Sequence, residues 1–339
     1  MSLDLDAVSD WLRACNGGAQ TVVRATKYPG GQSNPTYLLE TEGAPLVLRR
    51  KPSGTLLKSA HAVDREYRVQ AALAGTSVPV ARMIAYCDDA AVIGSEFYVM
   101  ERVAGRSFDD PRLPSIPVPE RHLYIKEMGR VLAAIHSVDP VEVGLGDFGP
   151  RGGYFRRQID RWSGQYRATE TERVAAMDRL VAALDAACPH DDGRVTLVHG
   201  DYRIDNLLFA PEAPRIAAVL DWELSTLGHP FADLASVVMQ WRMPPGAQGR
   251  GLRGVDREAE GLIADEAFVA LYCEHMGLTG IPDFEVCVAF CFFRMAAILQ
   301  GVKKRALDGN ASDPARGLQL GALVPLYAEA GLEALDGGS

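Results

Sequence analysis

The chain has 339 residues, 47% of them hydrophobic and 23% charged, which suits a folded protein of about two domains and excludes a disordered, collagenous or coiled-coil chain. Its 35 Lys and Arg against 44 Asp and Glu leave a net charge of -9, which speaks against a phosphate-backbone binder with a basic face, so no nucleic-acid partner is expected.

The first fifteen residues, MSLDLDAVSDWLRAC, are acidic, lack an apolar h-region and have no Gly after Met, so neither a secretory signal nor myristoylation is expected. No run reaches the ~18 uncharged apolar residues of a membrane span. The densest, Val286 to Phe293, stops at Arg294 and predicts a buried helix. We expect no membrane partner and a cytoplasmic setting. The six cysteines form no CxxC pair, which fits reduced thiols; only Cys287 and Cys291 share a helix face, and core packing suits them.

In chain order, a short helix is expected at Asp4 to Cys15, then strands at Thr36 to Leu39, Leu46 to Leu48 and Glu96 to Val103. A helix over His61 to Ala74 interrupts them, with Ala62, Glu66, Val69 and Leu73 on one stripe. The prolines Pro111, Pro114, Pro117 and Pro119 mark a region beside a domain boundary. Residues 1–105 thus read as an N-terminal lobe and 106–339 as a C-terminal one. In the second, helices are expected around Leu123 to Ile135, Tyr154 to Tyr166, Glu170 to Cys188, Phe231 to Trp241, Glu258 to Met276 and Phe284 to Arg305. Among them sits one short β island, Val195 to Val198, Leu207 to Phe209 and Ile216 to Leu220.

That island carries the chemistry. An apolar strand delivers His199-Gly-Asp201, Asn206 follows five positions after the Asp, and a second apolar strand ends in Asp221. Asp and Asn at such places are common turn formers, and an HxD alone is a weak signal. The joint pattern is more specific. Phosphoryl transfer needs a carboxylate to accept the proton of an attacking hydroxyl and oxygen ligands for Mg2+. Asp201 suits the first role; Asn206 and Asp221 suit the second. His199 reads as a supporting histidine and Asp205 as a turn residue.

With its HGDxxxxN and strand-terminal Asp, the sequence resembles the aminoglycoside phosphotransferase (choline kinase-like) family. It is most similar there to the kinase-like domains joined to acyl-CoA dehydrogenases. The likeness also rests on Tyr28-Pro-Gly-Gly-Gln-Ser-Asn34, Asp64-Arg-Glu66-Tyr67, Phe97-Tyr-Val-Met-Glu101 and Asp221-Trp-Glu-Leu-Ser-Thr-Leu-Gly228-His-Pro230, and runs from about Tyr28 to Arg305. It implies an α+β, bilobal protein-kinase-like fold with an N-terminal antiparallel sheet plus one helix and a larger α-rich lobe. It also implies ATP- and Mg2+-dependent phosphorylation of a small molecule's hydroxyl.

The N-terminal residues can be weighed against that expectation. Val47 and Arg49 share a strand face, as do Ala and Lys of the kinase V-A-I-K strand, so Arg49 is the expected phosphate ligand; Lys51 lies on the same face and stays open. Glu66, on the apolar stripe of its helix, needs a cation partner, and kinases pair such a Glu with that strand residue. Gly30, Gly31, Ser33 and Asn34 would belong to the loop over the phosphates. Glu101 to Val103 would form the hinge whose backbone pairs with adenine, with Met100 behind it. Gly144-Leu-Gly-Asp-Phe-Gly149 matches GxGxxG, but Pro150, Gly152 and Gly153 follow where a dinucleotide site needs a helix, so it is a loop.

Asp233 reads as a helix N-cap, and the family likeness adds a bracing role for the catalytic loop. Tyr154, Gln158, Trp162 and Tyr166, four residues apart, read as a core stripe; because acceptor pockets in the family lie between such helices and the catalytic loop, Arg157 and Trp162, and with them Glu223, are also acceptor-binding candidates. The run Tyr154-Phe-Arg156-Arg157-Gln-Ile-Asp160-Arg161-Trp162 suits an anionic, partly apolar acceptor such as a hydroxyacyl-CoA. The rival readings are an aminoglycoside, choline, homoserine or sugar kinase of the same fold, a nucleotide-binding pseudokinase, and a metal-dependent hydrolase. The remaining histidines form no metal-ligand motif, which disfavours the last. Arg294, embedded in an apolar helix, is expected to have an anionic or carbonyl partner, a buried ion pair before a ligand contact. Acceptor identity and oligomeric state are not legible at this level.

Overall fold

The computed structural model describes residues 3–16, 21–29, 34–52, 62–246, 251–311 and 313–337. They divide into two compact units that interleave in sequence. The first holds the chain up to Ser107 together with Val141–Gly146 and Asp205–Ser225; the second holds Phe108–Pro140, Asp147–Ile204 and the chain from Thr226.

The first unit is built on an antiparallel sheet of β1 (Val22–Lys27), β2 (Thr36–Thr41), β3 (Leu46–Arg50), β4 (Met83–Cys87) and β5 (Phe97–Glu101), in the order β1-β2-β3-β5-β4. Alternation along the strands sorts side chains to two faces. Leu46, Leu48, Phe97 and Val99 face α1 (Leu5–Asn16), whose Val8 and Leu12 complete that core. The partners on the opposite face, Arg49 and Tyr98, meet α2 (Val63–Leu73) through Glu66. Of the expected α2 stripe, Glu66, Val69 and Leu73 are buried, whereas Ala62 precedes the helix as its half-buried N-cap and Val63 takes the inward place.

The second unit is helical: α3 (Val118–His136), α4 (Tyr154–Thr169), α5 (Ala175–Ala186), α6 (Phe231–Trp241), α7 (Asp265–Met276), α8 (Phe284–Leu307), α9 (Pro314–Gly321) and α10 (Val324–Gly337). Its axis is α8, against which α4, α5, α6, α9 and α10 all pack. By length and composition α8 is apolar enough to cross a membrane, yet two thirds of its most apolar window is buried inside the protein. Burial pushes the Cys291 thiol on this helix up to about 12, and Cys287 is likewise buried.

The expected β island is two separate ribbons. β7 (Leu207–Phe209) pairs with β8 (Ile216–Val219) in the first unit, whereas β6 (Thr196–Val198) pairs with β9 (Thr226–Gly228) in the second. Two helices start later than their sequence pattern suggests. α5 begins after the polar Glu170–Arg173 stretch, and α7 begins after Gly261, whose φ of +66 breaks the run. Pro119 lies inside the first turn of α3, where a missing N–H costs nothing. No helix opens from the Gly144–Gly149 segment, which forms turns.

Gly228 allows β9 to lie close over α4: a Cβ there would fall 2.8 Å from Tyr154 Cε2 and 2.9 Å from Val198 Cγ2. Gly228→Ala is therefore expected to destabilise the fold by about 1–3 kcal/mol. Chemical denaturation would read this as a lowered midpoint with an unchanged slope; equal midpoints would refute it.

Candidate active site

Glu66 is fully buried, and four donor atoms converge on its carboxylate. Arg49 approaches side-on, Nη2 to Oε1 at 3.1 Å and Nε to Oε2 at 2.7 Å. The Asn34 amide donates to Oε1 at 2.9 Å and the Tyr98 hydroxyl to Oε2 at 2.9 Å. Burial pushes the Glu66 carboxyl upward, against the pull of Arg49; the guanidinium, which burial would weaken, is held above its ordinary value by Glu66. The strand cation of this site is thus Arg49. Lys51 instead pairs with Glu96 at 2.7 Å, beside the Tyr86 hydroxyl.

The same Arg49 Nη2 reaches Asp221 Oδ1 at 2.7 Å and lies 4.0 Å from Glu223. Asp221 holds φ 63, a left-handed conformation unusual for a residue with a Cβ and of the kind that clusters at functional sites. The hairpin explains how Asn206 comes beside it. Leu207 pairs with Val219 across β7 and β8, and the Leu220 N–H donates to the Asn206 carbonyl at 2.8 Å, so the residue before Asp221 is tied to Asn206. Carboxylate oxygens of Glu66, Asp221 and Glu223 lie within 4.8 Å of one another.

Of the proposed phosphate loop, Gly30, Gly31 and Ser33 lie outside the described residues, and the Asn34 side chain is buried against Glu66. Met100 pairs with Val47 on one side and Met83 on the other. Glu101 is exposed, its N–H donating to the Arg82 carbonyl at 2.9 Å, and Val103 lies past the end of β5. In the second unit, Arg156 pairs with Asp185, Arg157 donates to the Pro150 carbonyl at 3.2 Å, and Trp162 Nε1 donates to Gln158 at 3.1 Å. Of the two partners expected for Arg294, an anion or a carbonyl, the described residues supply the carbonyl: its Nη2 donates to the Gly200 carbonyl at 3.5 Å, and the favoured ion pair is not formed among them.

Asp201 follows β6 and has Arg203 Nε at 3.2 Å from its Oδ2. His199 is buried, and its Nδ1 accepts the Asp201 N–H at 3.3 Å, a supporting role. The turn itself hangs on Asp233. That carboxylate does not cap α6 as the sequence suggests; it accepts the His199 N–H at 2.6 Å and the Gly200 N–H at 2.9 Å. His136 Nε2 stands 3.4 Å away on its other side, with Nδ1 2.7 Å from the Tyr272 hydroxyl. Neither His136 nor Tyr272 stands out in the sequence, since each sits in an ordinary apolar helix pattern.

Burial would raise the Asp233 carboxyl, but the bond from His136 and the loop amides outweigh it and hold it below the usual range. A carboxyl depressed in the folded state stabilises fully above its unfolded value near 4 and loses that contribution as pH falls through the folded value. Asp233→Asn keeps one acceptor for two amides and is expected to cost about 2–4 kcal/mol at neutral pH. The gap to wild type should narrow below about pH 4. Urea unfolding across pH checks both; a gap independent of pH would refute the assignment.

Against known proteins, a profile of the phosphotransferase enzyme family (APH) matches residues 24–272. Mouse acyl-CoA dehydrogenase family member 10 is 44% identical over 331 residues, covering 97% of this chain and 31% of the mouse protein, so the chain spans about a third of that relative. A solved structure from Ralstonia eutropha, provisionally described as an aminoglycoside phosphotransferase, shares 45% identity at a TM-score of 0.90, with 98% of each chain covered. Aminoglycoside phosphotransferase APH(4)-Ia, solved as a thermostable mutant in ternary complex with AMP-PNP and hygromycin B, shares the fold at 17% identity and a TM-score of 0.63, over 97% of this chain and 98% of its own. With its profile matched from the first strand of the sheet to α7 and its fold shared along nearly the whole chain, this protein belongs to the phosphotransferase enzyme family.

Proposed function

We propose that the chain transfers the γ-phosphoryl group of ATP, with Mg2+, to an alcohol hydroxyl of a small molecule. The observation that carries this reading is the hairpin register that sets Asn206 beside Asp221, with Arg49 held on Asp221 by Glu66. An amide oxygen and a carboxylate are the hard oxygen donors that Mg2+ prefers, so the donor set fits. Bound there, the ion would offset charge on the phosphates during transfer.

The protein's own residues divide the remaining work. Arg49 presents a planar fork suited to phosphate oxygens, and Glu66 fixes its orientation. Backbone groups from Glu101 to Val103 take the adenine, with Met100 behind them. Asp201, on a turn braced by Asp233, accepts the acceptor's hydroxyl proton as the new O–P bond forms and the bond from the γ-phosphorus to the bridging oxygen breaks, releasing ADP. The proposed acceptor is a hydroxylated acyl compound, as the free acid or its CoA thioester. Support comes from the likeness to an acyl-CoA dehydrogenase family member and from the arginines beside Trp162 on α4.

Two measurements test this reading. ATP should raise the unfolding temperature more with Mg2+ than with chelator, because a ligand at 100 times its Kd adds about 2.7 kcal/mol. Equal shifts would defeat the metal ligands. Asp201→Asn should leave that Mg·ATP shift intact while cutting acceptor-dependent ATP consumption by about 10²- to 10⁴-fold. The assay uses a panel of hydroxyacyl-CoA thioesters, some of which should stimulate turnover while kanamycin does not. An unchanged rate in the variant would move the base elsewhere, and turnover on kanamycin alone would overturn the acceptor class.

A further inference from the structure

Arg294 lies near the middle of α8, among the buried Phe290, Phe293, Ala296 and Ala297. A half-buried guanidinium in such a setting needs a counter-charge or a full set of acceptors. Other inward arginines of this unit have carboxylates: Arg121 has Glu260, Arg257 has Asp265 at 2.6 Å, and Arg242 has Asp265 at 3.0 Å as well as Glu285. Among the described residues Arg294 has only the long bond to the Gly200 carbonyl, one residue before Asp201.

Arg157 resembles it, holding only the Pro150 and Arg151 carbonyls at 3.2 and 3.4 Å. Both arginines bear on Tyr154, which shares a face of α4 with Arg157, while α4 packs on α8. Burial pushes the Tyr154 phenol up to about 12 while Arg294 and Arg157 pull the other way, and the Asp233 and Asp201 carboxylates are both felt at Arg294. Arg294 thus adjoins the turn that bears Asp201, and α4, packed on α8, brings Tyr154 and Arg157 to the same side, with no carboxylate bonded to either arginine among the described residues. Arg121, Arg242 and Arg257 are bonded to carboxylates, whereas Arg294 feels Asp233 and Asp201 without a bond to either among the described residues, which leaves its donors for an anion from outside.

We propose that Arg294, with Arg157 and Tyr154, is an anion subsite that grips the acidic end of the acceptor and selects against polycations. The inference rests on Asp201 as the acceptor's base. A carboxylate of a free hydroxy acid and a phosphate of a CoA thioester offer the same oxygens to the guanidinium. Like-charge repulsion at the same place disfavours an aminoglycoside.

Calorimetric titration tests the subsite without relying on turnover. The probes are the isomeric hydroxybutyrates, their CoA thioesters and their neutral methyl esters, added to wild type, Arg294→Met, Arg294→Lys and Arg157→Gln. An acid or thioester should bind wild type and weaken about 10- to 100-fold in Arg294→Met, with Arg294→Lys restoring much of the loss. Binding of acids alone identifies the carboxylate, and binding of thioesters alone identifies the CoA phosphates. If Arg294→Met does not fold, Arg157→Gln should still weaken the same probe severalfold. Equal affinity in all variants, an equal loss for methyl esters, or no acid or thioester binding to wild type would overturn the subsite. Binding without phosphorylation of any probe would leave it standing and sink the phosphotransfer reading instead.

Discussion

The first unit depends on a carboxylate that has no business being buried alone. Glu66 sits at 0% exposure on the buried face of α2, beside Val63, Val69, Gln70 and Leu73. Desolvating it would cost several kcal/mol if Arg49, Asn34 and Tyr98 did not meet its oxygens. The requirement runs in both directions. Glu66 fixes the Arg49 side chain, and Arg49 then has an Nη2 left over for Asp221. A lysine in that position carries a single ammonium on a flexible stem; the guanidinium fork spans two carboxylates from one strand position. An Arg in the usual place of Lys is therefore a change of geometry, and one that links the sheet, α2 and the β7–β8 hairpin in a single network.

The second unit solves an equivalent problem with different means. Asp233 is as deeply buried as Glu66, but its partners are two backbone amides and a histidine instead of a guanidinium. Amide donors have fixed positions, so the carboxylate holds the backbone of the His199–Asp201 turn and leaves the Asp201 side chain to Arg203. In each unit an invested buried charge determines where a neighbouring, more accessible carboxylate sits. One places Asp221 and the other places Asp201.

What the sequence made legible follows from how locally each feature is determined. α6 and β7 have the expected bounds, and α2 buries Glu66, Val69 and Leu73 of its expected stripe, because each is set by short-range apolar spacing. Both missed strands of the large sheet, β1 and β4, are its edges. β1 buries only Val22 and β4 only Cys87, so neither shows the alternation that marks a half-buried strand. β9 is three residues ending in Gly228 and exists by pairing with β6 some distance back in the chain, which no local pattern encodes. No element was expected past Arg305, although Asp313 followed by Pro314 carries a helix-start signal and does cap α9 through the Arg316 N–H at 3.0 Å. The motif residues were legible as chemistry: Arg49, Glu66, Asn206 and Asp221 do come together. Tyr98 was not, because its burial on the Glu66 side depends on strand alternation set by the whole sheet.

α8 shows why composition and placement must be read together. Length and hydropathy would let it cross a membrane, but its faces are taken by α4, α5, α6, α9 and α10. A helix of that kind gains stability from each apolar side chain it buries, at roughly 25 cal/mol per Å², and gains little from a guanidinium that no carboxylate bonds. An apolar residue at position 294 would serve the packing better. The arginine there is a local conflict with the logic of its own helix, and such conflicts concentrate where a protein touches its ligand. Its place, one hydrogen bond from the residue preceding Asp201, gives that conflict a chemical meaning.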